Sequence, residues 1–113
     1  MTNVKGLAIH SGLTCSVTLH RVAGPTRFLR AGSVPADLDH VIGAQRATSL
    51  GADGASVHLV EHLLAALRIA GFYSGVLIEA SADELPILDG SAAPWVEAVA
   101  QLGAPPPPPP AIV

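Results

Sequence analysis

Residues 56–80, SVHLVEHLLAALRIAGFYSGVLIEA, decide the fold class. Ser56 is a residue type that caps helix N-termini, and Val57 to Ala70 is rich in Leu and Ala until Gly71 stops it, so the pattern predicts a helix over 57–70. Gly75 to Ala80 then reads as a buried strand. Upstream, Thr14 to Arg21 alternates polar Thr14, Ser16, Thr18 and His20 with apolar Cys15, Val17 and Leu19, the period of a half-buried strand. Gly24-Pro25 breaks the chain, Arg27 to Arg30 is expected to pair back as a short strand, and Pro35 and Gly43 punctuate a stretch without a firm assignment. Val41 to Leu50 is expected to be extended. Leu50-Gly51-Ala52-Asp53-Gly54 predicts a turn, because Asp-Gly readily takes the positive-φ positions of tight turns. Downstream, Asp83-Glu84-Leu85-Pro86 reads as a loop. Ser91 then caps a second helix, Ala92 to Leu102, with Pro94 in its first turn and Gly103 just past its end. Strands that precede and separate two helices predict an α+β two-layer sandwich: a mostly antiparallel sheet with two helices on one face.

The 113 residues suit one domain, expected over residues 1–104. Pro105 to Pro110 cannot be helical and predicts a polyproline II rod of roughly 19 Å, at about 3.1 Å per residue. Residues 105–113 are therefore read as a tail or spacer, in preference to a ligand for a proline-binding groove. Charged residues make up 13%, against about 25% in ordinary soluble domains. The net charge is −3, from six basic and nine acidic residues, with five arginines and one lysine scattered along the chain. No basic stripe for nucleic acid results, and 4% aromatic content leaves little to stack on bases. Mean hydropathy is +0.48. Even so, the longest apolar stretch, Val57 to Ala80, is broken by Glu61, His62, Arg68 and Glu79, whereas a membrane-spanning helix needs about 20 mostly uncharged residues. MTNVKGLAIHSG at the start has one lysine and an apolar run too short for a secretory signal, so a cytoplasmic location is expected. With Cys15 alone, no internal disulfide and no cysteine zinc cluster can form.

The chemistry is concentrated in His58-Leu59-Val60-Glu61-His62. On the expected helix His58 and His62 lie one turn apart, and Glu61 stands about 100° from His62, so three polar groups share one side. As H-x-x-E-H this string matches the inverted zincin pattern, two zinc-binding histidines with a glutamate base. That reading needs a third ligand and a substrate groove that a chain of this size and composition does not readily build. Histidines on an apolar helix are also commonly ordinary hydrogen-bonded residues, and Glu61 with Arg68 then forms a solvated stripe.

Four strings shift that balance: GLAIHSG at Gly6 to Gly12, RATSLG at Arg46 to Gly51, VHLVEHLLAAL at Val57 to Leu67, and LPILDGSAAPWVEA at Leu85 to Ala98. In order and spacing they resemble the N-terminal half of the UDP-3-O-acyl-N-acetylglucosamine deacetylases of lipid A biosynthesis. The resemblance runs to Gly103, and its specific parts are VEHLLAAL and PILDGSAAP. It implies a zinc-dependent amidase that removes acetate from a UDP-linked acylated amino sugar, built from two α+β domains packed helix layer to helix layer. By position, it makes Glu61 the general base, His62 a zinc ligand and His10 a histidine near the active site, with Asp89, Gly90 and Ser91 turning the chain into the second helix.

The departures from the family are equally specific. The remaining zinc ligands, spaced H-x-x-x-D, and a catalytic histidine belong to the family's second domain, and His20 and His40 offer no local substitute. His58 stands where the family has a small hydroxyl residue, Ser74-Gly75 where it has an acidic residue and asparagine, and the family's first strand is expected to be clipped. A catalytic zinc keeps three protein ligands and one open position. The chain is therefore read as half an active site, inactive or weakly active until a second domain supplies the rest. The rival reading is a non-catalytic, self-associating binding module. Around the expected helix 57–70, Leu59, Val60, Leu63, Leu64, Leu67 and Ile69 cover most of the circumference, and the second helix repeats this with Trp95, Val96, Val99 and Leu102. Such helices are normally buried on more than one side, so the helix layer is expected to meet a second-domain polypeptide or a second copy in a two-fold homodimer.

Overall fold

The alternation in Thr14 to Arg21 becomes the second strand of a five-stranded sheet. The computed structural model describes residues 2–8, 11–30, 32–36, 41–43, 49–52 and 55–106. Its elements are β1 (Thr2–Leu7), β2 (Thr14–Arg21), β3 (Arg27–Leu29), β4 (Ser33–Pro35), β5 (Val41–Gly43), β6 (Ser49–Ala52), β7 (Ala55–His58), α1 (Glu61–Ile69), β8 (Val76–Ala80) and α2 (Ala93–Ala100). The main sheet has the order β1-β2-β8-β3-β4. All its pairings are antiparallel except β3 with β8, which run parallel, so the sheet is mixed with an antiparallel majority. The strand expected at Arg27 to Arg30 is β3, and its neighbours are β8 and β4. A second, three-stranded sheet, β5-β6-β7, is a meander.

The faces follow from the period of two. Cys15, Val17 and Leu19 of β2 and Val76, Ile78 and Ala80 of β8 point to one side and join Leu63, Ala66 and Leu67 of α1 and Trp95, Ala98 and Val99 of α2 in one buried core. The opposite face is polar: Asn3 Nδ2 donates to Ser16 Oγ (2.8 Å) and Thr18 Oγ1 (2.9 Å) across β1 and β2. The expected α+β two-layer arrangement is the one observed. Among the described residues, no helix is long and apolar enough to cross a membrane.

Three expectations change. The first helix begins at Glu61, four residues later than the Leu/Ala pattern predicts, with Val60 as its N-cap and Ser56 in β7. The cause is the β6–β7 hairpin: Leu50 pairs with Val57 and Ser49 with His58, so Val57 and His58 spend their backbone on a ladder. Of the turn predicted over Leu50 to Gly54, Leu50, Gly51 and Ala52 instead lie in β6, paired with Val57, Ser56 and Ala55, and Asp53 and Gly54 lie outside the described residues. The second helix is shorter than 92–102 at both ends, its last carbonyls being taken by the tighter turns Leu102 N to Val99 O (2.9 Å) and Gly103 N to Ala100 O (3.2 Å). Ser91 Oγ accepts from Ala93 N (3.2 Å) one residue before the N-cap, Ala92.

The helix layer is also less exposed than its wheel suggests. Leu59 and Val60 precede the helix and are buried, as are Trp95, Val99 and Leu102. Leu64 and Val96 are partly covered, which leaves Ile69 (69% exposed) and Tyr73 (48%) as the large apolar side chains at this layer's surface.

Gly6 marks where β1 meets the 84–88 segment. A Cβ there would lie 3.0 Å from Leu88 Cδ2, the movable end of a side chain, and 2.9 Å from Pro86 Cβ, which the proline ring keeps from swinging away. Gly6→Ala should therefore cost about 1–3 kcal/mol, read as a lowered urea midpoint with an unchanged slope. An unchanged midpoint would mean that β1 and Pro86 are not in close contact.

Candidate functional site

Between β7 and α1 the chain turns sharply. Leu59 takes φ 62, a left-handed conformation that costs a non-glycine residue roughly 1–2 kcal/mol. Three observations account for its persistence. The Leu59 and Val60 side chains are sunk in the core. His58 N donates to Asp83 O (2.6 Å). Leu85 N donates to His58 O (3.0 Å). The His58 peptide is thus clamped on both sides, forming a parallel bridge with Glu84. Val60 at φ −92 then starts the helix, and Glu61 and His62 are its first two residues, both half-buried. Glu61 gains from this place, because the free amides of a first turn carry partial positive charge.

The structure brings Glu61 and His62 together and separates His58 from them in kind. His58 ends a strand, so the one-turn spacing behind the H-x-x-E-H reading does not exist. His10 lies outside the described residues. Among the described residues, no three His, Cys, Asp or Glu side chains gather closely enough to hold a metal ion. A complete zinc site therefore does not fit within the described part of this chain.

The Asp89-Gly90-Ser91 segment turns the chain into α2 as the sequence suggests. Gly90, at φ 82, donates its N–H to Ile87 O (2.9 Å). Asp89 Oδ1 accepts from Ser91 Oγ (2.7 Å) and from Ser91 N (2.9 Å). These bonds, the hydroxyl first, hold the Asp89 carboxyl below its ordinary value of 3.8, with a smaller contribution from His62.

The sequence reading missed Glu84. It is the one acidic side chain counted as buried among the described residues, and its Oε1 accepts the Ser11 N–H at 2.9 Å. Its neighbour Asp83 accepts from Arg30 Nε (2.8 Å), tying in the end of β3. The only signal for Glu84 in the sequence is its position directly before LPILDGSAAP.

The family model described as UDP-3-O-acyl N-acetylglycosamine deacetylase (LpxC) matches residues 1–107. A UDP-3-O-acyl-N-acetylglucosamine deacetylase of Thermosynechococcus vestitus is 44% identical over 108 residues, covering 89% of this chain and 38% of the relative. One of Synechocystis sp. is 41% identical, covering 91% and 40%, and one of Myxococcus xanthus is 37% identical, covering 91% and 35%. The chain thus spans 35–40% of the length of these three relatives.

The Asp89 geometry has a titration consequence. Because the folded carboxyl is shifted down, its contribution to stability is present above about pH 3.8 and is lost as pH falls through the folded value. Ser91→Ala removes the leading cause, so the Asp89 midpoint followed by carboxyl ¹³C NMR should rise toward 3.8. A midpoint unmoved by the substitution would contradict the assignment.

Proposed function

The chain belongs to the UDP-3-O-acyl-N-acetylglucosamine deacetylase family, and from that premise we propose that it supplies the base-bearing half of a zinc-dependent deacetylase acting on a UDP-linked acylated amino sugar. Glu61 is the general base and His62 one metal ligand. The observation that supports this most is the placement of the two side chains side by side at the start of α1, behind a turn whose conformation the surrounding backbone fixes. A rigid mount of this kind suits groups that must meet a reacting atom in one orientation.

In the reaction Glu61 takes a proton from water as the water oxygen adds to the amide carbonyl carbon. The C–N bond then breaks, a proton reaches the departing nitrogen, and acetate and the free amino sugar result. The half-buried setting of Glu61 limits competing water around its carboxylate. Zinc, when bound, would polarise the carbonyl, and its other donors are assigned to a second-domain polypeptide, in keeping with relatives more than twice as long as this chain's matched region. Residues 1–104 are read as the domain, 105–113 as the spacer, and the cytoplasm as the site of the reaction.

A second reading, a self-associating module without catalysis, draws on Ile69 and the partly covered Leu64. In that reading two copies pair through their helix layers.

Mixing the chain with zinc and the remaining portion of the Thermosynechococcus vestitus relative separates the two. Acetate release from UDP-3-O-acyl-N-acetylglucosamine is expected, reduced about 10²-fold or more by Glu61→Gln. The chain alone should bind zinc weakly, with His62→Ala abolishing binding and His58→Ala leaving it within about twofold, because one donor is far short of a catalytic set. A stable complex without acetate release would overturn the catalytic reading. A micromolar dimer by sedimentation, weakened by Leu64→Asp, would then favour the second.

A further inference from the structure

Glu84 is buried, at 6% relative exposure, in a chain whose other described acidic side chains are half-exposed or exposed. A carboxylate taken out of water is costly unless bonded, and bonds from amides to a carboxylate are among the stronger ones available. The Glu84 carboxylate spends one oxygen on the Ser11 N–H, 73 residues away in sequence, in the connection between β1 and β2. Its own peptide neighbours clamp His58: Asp83 O receives His58 N, and Leu85 N reaches His58 O. Just beyond, Ile87 N donates to Leu7 O (3.1 Å), so the same segment also holds the end of β1.

One residue therefore joins two places. Its side chain accepts from Ser11 N in the β1–β2 connection, and the backbone of its flanking residues Asp83 and Leu85 holds the turn from which Glu61 and His62 project. An apolar side chain would satisfy burial at this position but would leave the Ser11 amide without this acceptor. We propose that Glu84 is a positioning residue for the Glu61–His62 pair: its carboxylate fastens the Ser11 connection to the 83–85 segment, and that segment sets the orientation of the first turn of α1. The proposal rests on the reading of Glu61 and His62 as base and metal ligand.

The test compares wild type, Glu84→Gln, Glu84→Asp and Glu84→Ala in the full chain. Three quantities are measured: amide exchange at Ser11, the ¹⁵N–¹H resonances of Leu59, Glu61 and His62 without metal, and zinc affinity by chelator competition. Glu84→Gln keeps an oxygen acceptor at the same reach and should stay within about threefold of wild type in exchange and affinity. Glu84→Ala should speed Ser11 exchange at least tenfold, shift the Glu61 and His62 resonances, and weaken zinc about tenfold, the scale typical of groups that orient a metal ligand. Glu84→Asp, one methylene short, should move in the same direction and serves if the alanine variant does not fold.

Faster Ser11 exchange with the Glu61 and His62 resonances unmoved would overturn the positioning role. So would Glu84→Gln failing as badly as Glu84→Ala. Zinc binding by wild type that ignores His62→Ala would instead overturn the proposed function, while the metal-free resonances still decide the role of Glu84.

Discussion

The peptide of His58 makes two hydrogen bonds to one passing segment, its N–H to Asp83 O and its C=O to Leu85 N. Much of the site's geometry follows from that clamp. It holds the last residue of β7 extended, so the helix cannot start where Leu and Ala first become frequent. The next residue, Leu59, must then turn the chain through a positive φ, and the helix begins with Glu61 and His62 rather than with Val57. Without the clamp, the low cost of propagating a Leu/Ala helix backwards would compete with the hairpin and carry His58 onto the helix surface.

Burial supplies the rest of the stability of this turn. Leu59 is buried, and Val60 and Leu63 enter the core that residues of β2, β8 and α2 share. Each fully buried aliphatic side chain contributes about 1.5–3 kcal/mol relative to exposure, enough to offset the roughly 1–2 kcal/mol of the left-handed Leu59. The 83–90 segment connects these parts to the sheet. It takes Arg30 at the end of β3, Ser11 in the β1–β2 connection and Leu7 at the end of β1, then bends at Gly90 into α2. Glu84, bridged to His58 at the turn, and Asp89, at the bend into α2, both belong to this segment, so a loop in the sequence is the scaffold of the candidate site.

Elements whose periodicity reflects a single local cause were legible. β2 and β8 appear where alternation and an apolar run place them, and α2 lies within the predicted span with Pro94 and Gly103 in their expected roles. The start of α1 was not legible, because Val57 and His58 satisfy a helical pattern locally and are claimed by β6 and by residues 83–85 through long-range bonds. The same displacement removed the H-x-x-E-H geometry and sank Leu59 and Val60 into the core, shrinking the apolar surface expected on the helix layer. Glu61 and His62 were legible as a pair. Glu84 was not, since an acid beside Leu85-Pro86 has the composition of any solvated turn, and only the tertiary bridge reveals that it is buried.

The most direct measurement is the set of backbone ¹³Cα and ¹³C′ chemical shifts over residues 57–63 of the free chain. Extended shifts at Val57 and His58, a left-handed signature at Leu59 and helical shifts from Glu61 onward are the expected result. Unbroken helical shifts from Val57 would contradict it, and with it the claim that the backbone clamp on His58 is what presents Glu61 and His62.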